Sequence, residues 1–144
     1  MNQLDSFSCV RNLLDEQTFA VLATLSDETP YTNLIAFTPI ENYKALLFPT
    51  LRNTSKYNNL IKNKNVSICF DNRKNKLSDF IQTTTITALG TAKEVEKNNY
   101  KEIFLKKHPY LFEFVDDEDC AIVKIKVRKY IIVEKFQKVK TFNF

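Results

Sequence analysis

The stretch Phe48–Leu60, FPTLRNTSKYNNL, concentrates the groups in this chain that could do chemistry. A run of strand formers ends at Thr50, and a helical run begins near Thr54. Between and across these points lie Arg52, Asn53, Thr54, Ser55 and Lys56. Two cations, two hydroxyls and the free N–H groups of a helix start thus converge. That combination suits a phosphate, which needs charge, donors and a favourable helix dipole. No glycine lies in the stretch, so it is not a P-loop. The plainer reading is a strand–helix connection capped by Thr54 or Ser55, with Arg52 and Lys56 solvated.

Other reactive residues are scattered. His108 is the one histidine and precedes Pro109, which reads as a helix stop. Cys9, Cys69 and Cys120 are odd in number and lack CxxC spacing, so neither a disulfide framework nor a zinc site is signalled. Cys69 and Cys120 lie on apolar runs and are expected in the core. No G-x-S-x-G and no second histidine support a hydrolase triad. Asp116–Asp119 lacks the glycine and terminal glutamate of a calcium loop and reads as a solvated turn. Lys124, Lys126, Arg128 and Lys129 form a basic strand with Tyr130 and Phe136 nearby. It reads as a charged outer face, or as a nucleic-acid-binding surface. No catalytic side chain and no metal ligand is nominated.

The elements that must position these residues follow from periodicity. Leu4, Phe7, Val10, Leu13 and Leu14 recur at helical spacing, giving a helix of about three turns capped by Asp5 or Ser6. Thr18–Leu25, Tyr31–Thr38 and Lys44–Thr50 read as strands separated by turns at Ser26–Pro30 and Pro39–Tyr43, an antiparallel meander. A short helix runs from about Thr54 to Lys62, and Val66–Phe70 is a strand. Asp71–Asp79 is a polar loop. Ile81–Val95 is a long Thr-rich strand with the chain's single glycine, Gly90, marking a bulge or bend. Asn98–Lys107 is a helix with Tyr100, Ile103 and Phe104 facing inward. Cys120–Arg128 and Tyr130–Val139 read as two closing strands.

This succession predicts one mainly β domain over residues 1–144, an antiparallel, closed or partly closed barrel with flanking helices. At 144 residues, 44% hydrophobic and 26% charged, the chain has an ordinary globular profile. Disorder is excluded, and no apolar run is long enough for a membrane helix. A net charge of +4 suits anionic small molecules as well as nucleic acid. The start, MNQLDSFSCV, lacks the basic and apolar segments of a secretory leader, so a cytoplasmic location is expected.

The run from Thr18 to Phe70 resembles the pyridoxamine-phosphate-oxidase-like, FMN-binding split-barrel family. The residues that carry the resemblance are LATLS at Leu22–Ser26, Pro30 opening the next strand and LLFPT at Leu46–Thr50. TSK at Thr54–Lys56, NKNVSICF at Asn63–Phe70 and Gly90-Thr91-Ala92 continue it. It implies that Thr54, Ser55 and Lys56 bind the FMN phosphate, with help from Arg52. Pro49 and Thr50 would lie along the ribityl chain and ring. Asn33, Leu34, Ile35 and Ala36 would line the isoalloxazine, and Thr85 would touch it from the long strand. It further implies a homodimer with FMN at the subunit interface.

Two departures bear on activity. Asp27-Glu28-Thr29 replaces the usual Asp–Gly turn, and the tail KVKTFNF lacks the oxidase's Arg–x–His substrate motif. The implied activity is therefore an FMN-dependent reductase or oxidase of some other small molecule, with NAD(P)H a candidate donor. Phe142 or Phe144 either covers the flavin from the partner subunit or packs the core or the interface. Relatives of this fold also bind F420 or haem, the latter wanting an axial side chain for which His108 is the one histidine. A non-catalytic basic barrel binding nucleic acid is the remaining alternative.

Overall fold

The computed structural model describes residues 3–144, with side chains from Asp5 onward, so the expected inward role of Leu4 lies outside what is described. The first helix, α1 (Gln3–Glu16), begins before the expected caps, which fall inside it. Its Val10, Leu13 and Leu14 are buried in the main core. Then come β1 (Phe19–Ser26), β2 (Thr29–Ala36), β3 (Thr38–Ile40), β4 (Ala45–Leu51), α2 (Ser55–Lys62) and β5 (Asn65–Asp71). The second half holds α3 (Asp79–Gln82), β6 (Thr84–Val95), α4 (Lys97–Lys107) and a short 3-10 turn (Pro109–Leu111). It closes with α5 (Phe112–Asp116), β7 (Cys120–Glu134) and β8 (Lys138–Asn143).

All eight strands form one sheet in the order β2-β1-β5-β6-β7-β4-β3, with β8 on the free half of β7. Every pairing is antiparallel. The expected meander is therefore divided: β1–β2 and β3–β4 are hairpins at opposite ends of the order, and β4 pairs with β7 instead of β2. β2 and β4 still contact each other, so the sheet curls into a split barrel. Alternation puts Leu22, Ile35, Phe48, Ile68, Ile86, Val123 and Ile132 into its interior, with Leu60 of α2. A second cluster packs Ala45, Leu47 and Ile122 from the outer face against Phe104 of α4 and Val115 of α5.

Four other expectations shift. Pro39 lies within a short edge strand, where a missing N–H is tolerated, so the turn moves to residues 41–44. Cys120–Glu134 is one strand of 15 residues, not the end of one and the start of another. Ile81 falls in α3, ahead of the long strand. Ile103 is exposed, while Phe104 is fully buried. Gly90 does mark a bulge, since the β6–β7 register slips between Leu89 and Gly90. A Cβ there would run into the Lys126 carbonyl oxygen, so only glycine lets the two strands approach.

Candidate functional site

β4 is buried on both faces because it lies between the two cores. Pro49 and Thr50 share that burial and sit in the ladder opposite Ile122 and Ala121. Thr54 follows in extended conformation and caps α2. Its hydroxyl donates to the Leu51 carbonyl at 2.8 Å, lies 2.9 Å from the Thr50 hydroxyl and accepts the Tyr57 N–H at 3.3 Å. The hydrogen-bonding capacity of Thr54 is thus spent inside the chain.

Arg52 is engaged as well. It grips Glu94 of β6 with Nη2 at 2.7 Å and Nε at 3.3 Å, and Nη1 donates to the Glu118 carbonyl at 2.9 Å. Tyr57 of α2 donates its hydroxyl to the same carboxylate at 2.6 Å. The Arg52 hydrogen bond, seconded by Tyr57, holds the Glu94 carboxyl below its ordinary range. The carboxylate in turn pushes the Tyr57 phenol up. Arg52, Tyr57 and Glu94 therefore brace the loop. Sequence reasoning missed Tyr57 and Glu94, because no local spacing links Glu94 to a residue 42 positions earlier.

What the braced loop leaves over is Ser55, exposed, and Lys56, half-exposed. Lys56 forms no hydrogen bond or ion pair among the described residues. The N–H groups of Ser55 and Lys56 open an eight-residue helix whose first bonded amides belong to Tyr57 and Asn58. A helix start, a hydroxyl and an unneutralised ammonium together attract an anion.

The expected ring-lining strand lies nearby, since α2 packs on β1 and β2. A buried hydrogen bond from Asn59 Nδ2 to the Thr24 hydroxyl, 3.0 Å, fixes that packing. Along β2, Ile35 faces the core and Ala36 the second cluster, while Leu34 points outward at 67% exposure. Asn33 Oδ1 is buried without a hydrogen-bond partner, an unmet polar group beside the site.

Thr85 does not join this group. It starts β6, whereas Glu94 is near its end, and nine strand residues span about 30 Å. Thr85 instead lines a cavity of 400 Å³ with Cys69, Arg73, Thr83, Phe80 and Phe136. The Phe80 and Phe136 rings pack 5.3 Å apart. Cys69, expected in the core, lies half-buried on the outer face, and burial with Asp71 pushes its thiol up. Cys120 is buried as expected.

His108 caps the end of α4, stacked on Phe104 at 4.7 Å with Nε2 2.6 Å from the Phe37 carbonyl. Burial draws its pKa down, so the neutral ring donates to Phe37. Phe142 packs on the core and Phe144 edge-on to Tyr130. Among the described residues no helix is long and apolar enough to cross a membrane.

A family model described as pyridoxamine 5'-phosphate oxidase matches residues 9–134. No curated protein is significantly similar in sequence. Among solved structures, a heme binding protein from Mycobacterium smegmatis is similar with TM-score 0.84 at 15% identity. The match covers 96% of this chain and 57% of that one, so this chain spans little more than half its length. The General Stress Protein 26 from Bacillus anthracis matches with TM-score 0.75 at 17% identity, over 96% of this chain and 98% of its own. A nimc/nima family protein from Clostridium acetobutylicum gives 0.75 at 19% identity, over 99% and 94%. At such identities these likenesses establish the split-barrel fold.

Proposed function

The chain belongs to the pyridoxamine 5'-phosphate oxidase family, and from that premise we propose that it is an FMN-binding flavoprotein, a homodimeric oxidoreductase of a small molecule. The observation that carries this reading is the start of α2. Thr54 is consumed in capping α2 and Arg52 braces the loop on Glu94, while Ser55, Lys56 and two backbone N–H groups stay available. That donor set fits a phosphate monoester. Lys56 and Ser55 hold the phosphate in this reading, and Arg52 keeps the loop in place through Glu94. Asn33, with its unpartnered Oδ1, offers a polar contact to the ring. FMN when bound would supply hydride or electron transfer.

The second copy is argued from the outer face. Leu34, Val21, Cys69, Thr87 and Ile131 stand side by side on five adjacent strands. None of them belongs to either buried cluster. A row of this kind, apolar with a threonine and a thiol, is suited to pack against its own copy about a two-fold axis. The same packing would carry one subunit's Thr85 towards the other's α2, closing the gap of about 30 Å.

Adding FMN to the purified protein tests the reading. One FMN bound per chain, with a flavin visible spectrum and a dimer in sedimentation, is the expected result. A protein that refuses FMN, or takes up F420 in its place, overturns the cofactor assignment. A Soret band on adding haem would also overturn it; the single histidine is already committed to Phe37. Refusal of flavin with steeply salt-dependent oligonucleotide binding would favour the nucleic-acid alternative.

A further inference from the structure

The cavity at the Thr85 end of β6 is built by the segment that joins β5 to β6 and by the turn between β7 and β8. The joining segment is tied down from within. The Asp79 carboxylate accepts the Lys74 N–H at 3.0 Å and the Lys76 N–H at 3.1 Å. Asn72 Oδ1 accepts the Thr84 N–H at 2.9 Å. Asp71 Oδ1 accepts the Arg73 N–H at 3.1 Å and lies 3.2 Å from Arg73 Nε. Both carboxylates that line the cavity are therefore engaged inside the chain.

Its donors are left over. Among the described residues, Arg73 pairs through Nε alone, and Lys76 forms no ion pair. Thr83 is 5% exposed, and its Oγ1 is buried without a hydrogen-bond partner. The carboxylate it faces is that of Asp79, already held by two amides. A buried hydroxyl with no partner is destabilising until something pairs with it.

The rings of the rim are held there against backbone preference. Lys135 and Phe136 form the β7–β8 turn with φ of 54° and 60°. A two-residue turn with both angles positive suits Asn-Gly, and a bulky side chain in it is strained. Burial does not offset that strain, because Phe136 is largely exposed. Its ring instead packs 5.3 Å from the Phe80 ring, and both line the cavity. Strain of this kind gathers at ligand clamps. The Cys69 thiol, kept protonated by burial, adds a soft apolar wall.

We propose that this cavity binds a flat, two-ring aromatic carboxylate. The rings lie against Phe80, Phe136 and the Cys69 sulfur. The terminal nitrogens of Arg73 form a fork that matches the carboxylate, Lys76 adds charge, and the Thr83 hydroxyl donates to a carboxylate oxygen. A phosphate would bring a second negative charge beside Asp71 and Asp79, so the lining favours a monoanion. The volume of 400 Å³ falls within the range of about 300–1,000 Å³ found for small-molecule sites. The site needs no flavin, so it stands apart from the reading above.

Calorimetric titration of the full chain with 2-naphthoate tests it. Decalin-2-carboxylate lacks the flat rings and 2-naphthamide lacks the charge; each should bind at least about tenfold more weakly. 2-Naphthyl phosphate should bind no better than the carboxylate. Arg73→Gln should weaken 2-naphthoate about tenfold. Thr83→Val should weaken it several-fold with the thermal midpoint held, since the hydroxyl has no partner to lose. Phe136→Gly should also weaken it several-fold while the midpoint holds or rises, because glycine relieves the turn. Equal binding of all four probes overturns the proposal, as does indifference to both Arg73→Gln and Phe136→Gly. Displacement of 2-naphthoate by FMN overturns it too, since the cavity would then belong to the flavin. A chain that takes 2-naphthoate with this selectivity but refuses FMN upholds the cavity and faults the flavin reading alone.

Discussion

The two ends of β6 are finished in different ways. At the Glu94 end, side chains from the β4–α2 loop, α2 and the strand close on one carboxylate, and the Glu118 carbonyl takes the remaining arm of Arg52. At the Thr85 end the strand borders an open cavity whose rim carries Phe80 and Phe136, each 62% exposed. The first end satisfies its polar groups within the chain and leaves a lysine over. The second leaves apolar rings over. A strand with one self-sufficient end and one open end suits a site completed by another copy. Each perturbation below strikes one end, the joint between them, or the face that would bring them together.

The largest effect is expected at the joint. Gly90 sits at the bulge between the ends, and its Cβ would run into the Lys126 carbonyl, a backbone atom that cannot swing aside. Gly90→Ala should cost about 3 kcal/mol of stability, read as a lowered denaturant midpoint. A variant as stable as the parent would show that the two strands can part there without loss.

Next comes the face. Leu34 is the most exposed of the row that crosses the five strands. If a second copy covers it, burying an aspartate in its place forfeits about 1.5–3 kcal/mol of apolar transfer and adds a desolvation cost. Leu34→Asp should then yield a monomer in sedimentation with an unchanged melting profile at low concentration. A dimer that survives it would separate the two ends of β6 into independent features.

Lys56→Ala addresses the self-sufficient end. Removing one charge-assisted phosphate contact should cost about 1.5–3 kcal/mol of FMN binding. Arg52→Ala should lower stability with little loss of flavin affinity, since its guanidinium is engaged with Glu94. Equal flavin loss from both variants with no stability change from either would reverse the roles given to these two cations.

The features of this end that are local in the chain were legible in the sequence. A β-to-helix handover with Thr54, Ser55 and Lys56 announces a cap and a cation within one helical turn, and both are there. Gly90 in a Thr-rich strand announced its bulge for the same reason. Partnerships across the sheet were not legible. The Arg52–Glu94 pair went unread because the partner is a strand away, and Cys69 looked like core because alternation does not say which face is covered. β7 was read as two strands because Arg128-Lys129 resembles a break. In the fold that pair lies opposite the Gly90 bulge, where Leu89 meets Lys129 and Gly90 meets Val127, leaving Arg128 unmatched.

The smallest effect tests the brace itself. The Glu94 carboxyl is held below its ordinary range by Arg52 and Tyr57, so the folded state keeps it ionised to lower pH than the unfolded chain does. Its contribution to stability is present in full above the unfolded carboxylate pKa of about 4.3 and fades as pH falls through the lower folded value. Both partners are partly exposed, with side-chain exposures of 41% for Arg52 and 30% for Glu94, so screening keeps the contribution to about 0.5–1 kcal/mol. Glu94→Gln should remove that amount at pH 7 and should flatten this part of the acid limb of the stability curve. It should also free Arg52 towards α2, so flavin affinity should hold or rise slightly even as stability drops. A parallel fall of both would mean that the brace and the phosphate contact are one device, and that the Glu94 end of β6 is less self-contained than its hydrogen bonds suggest.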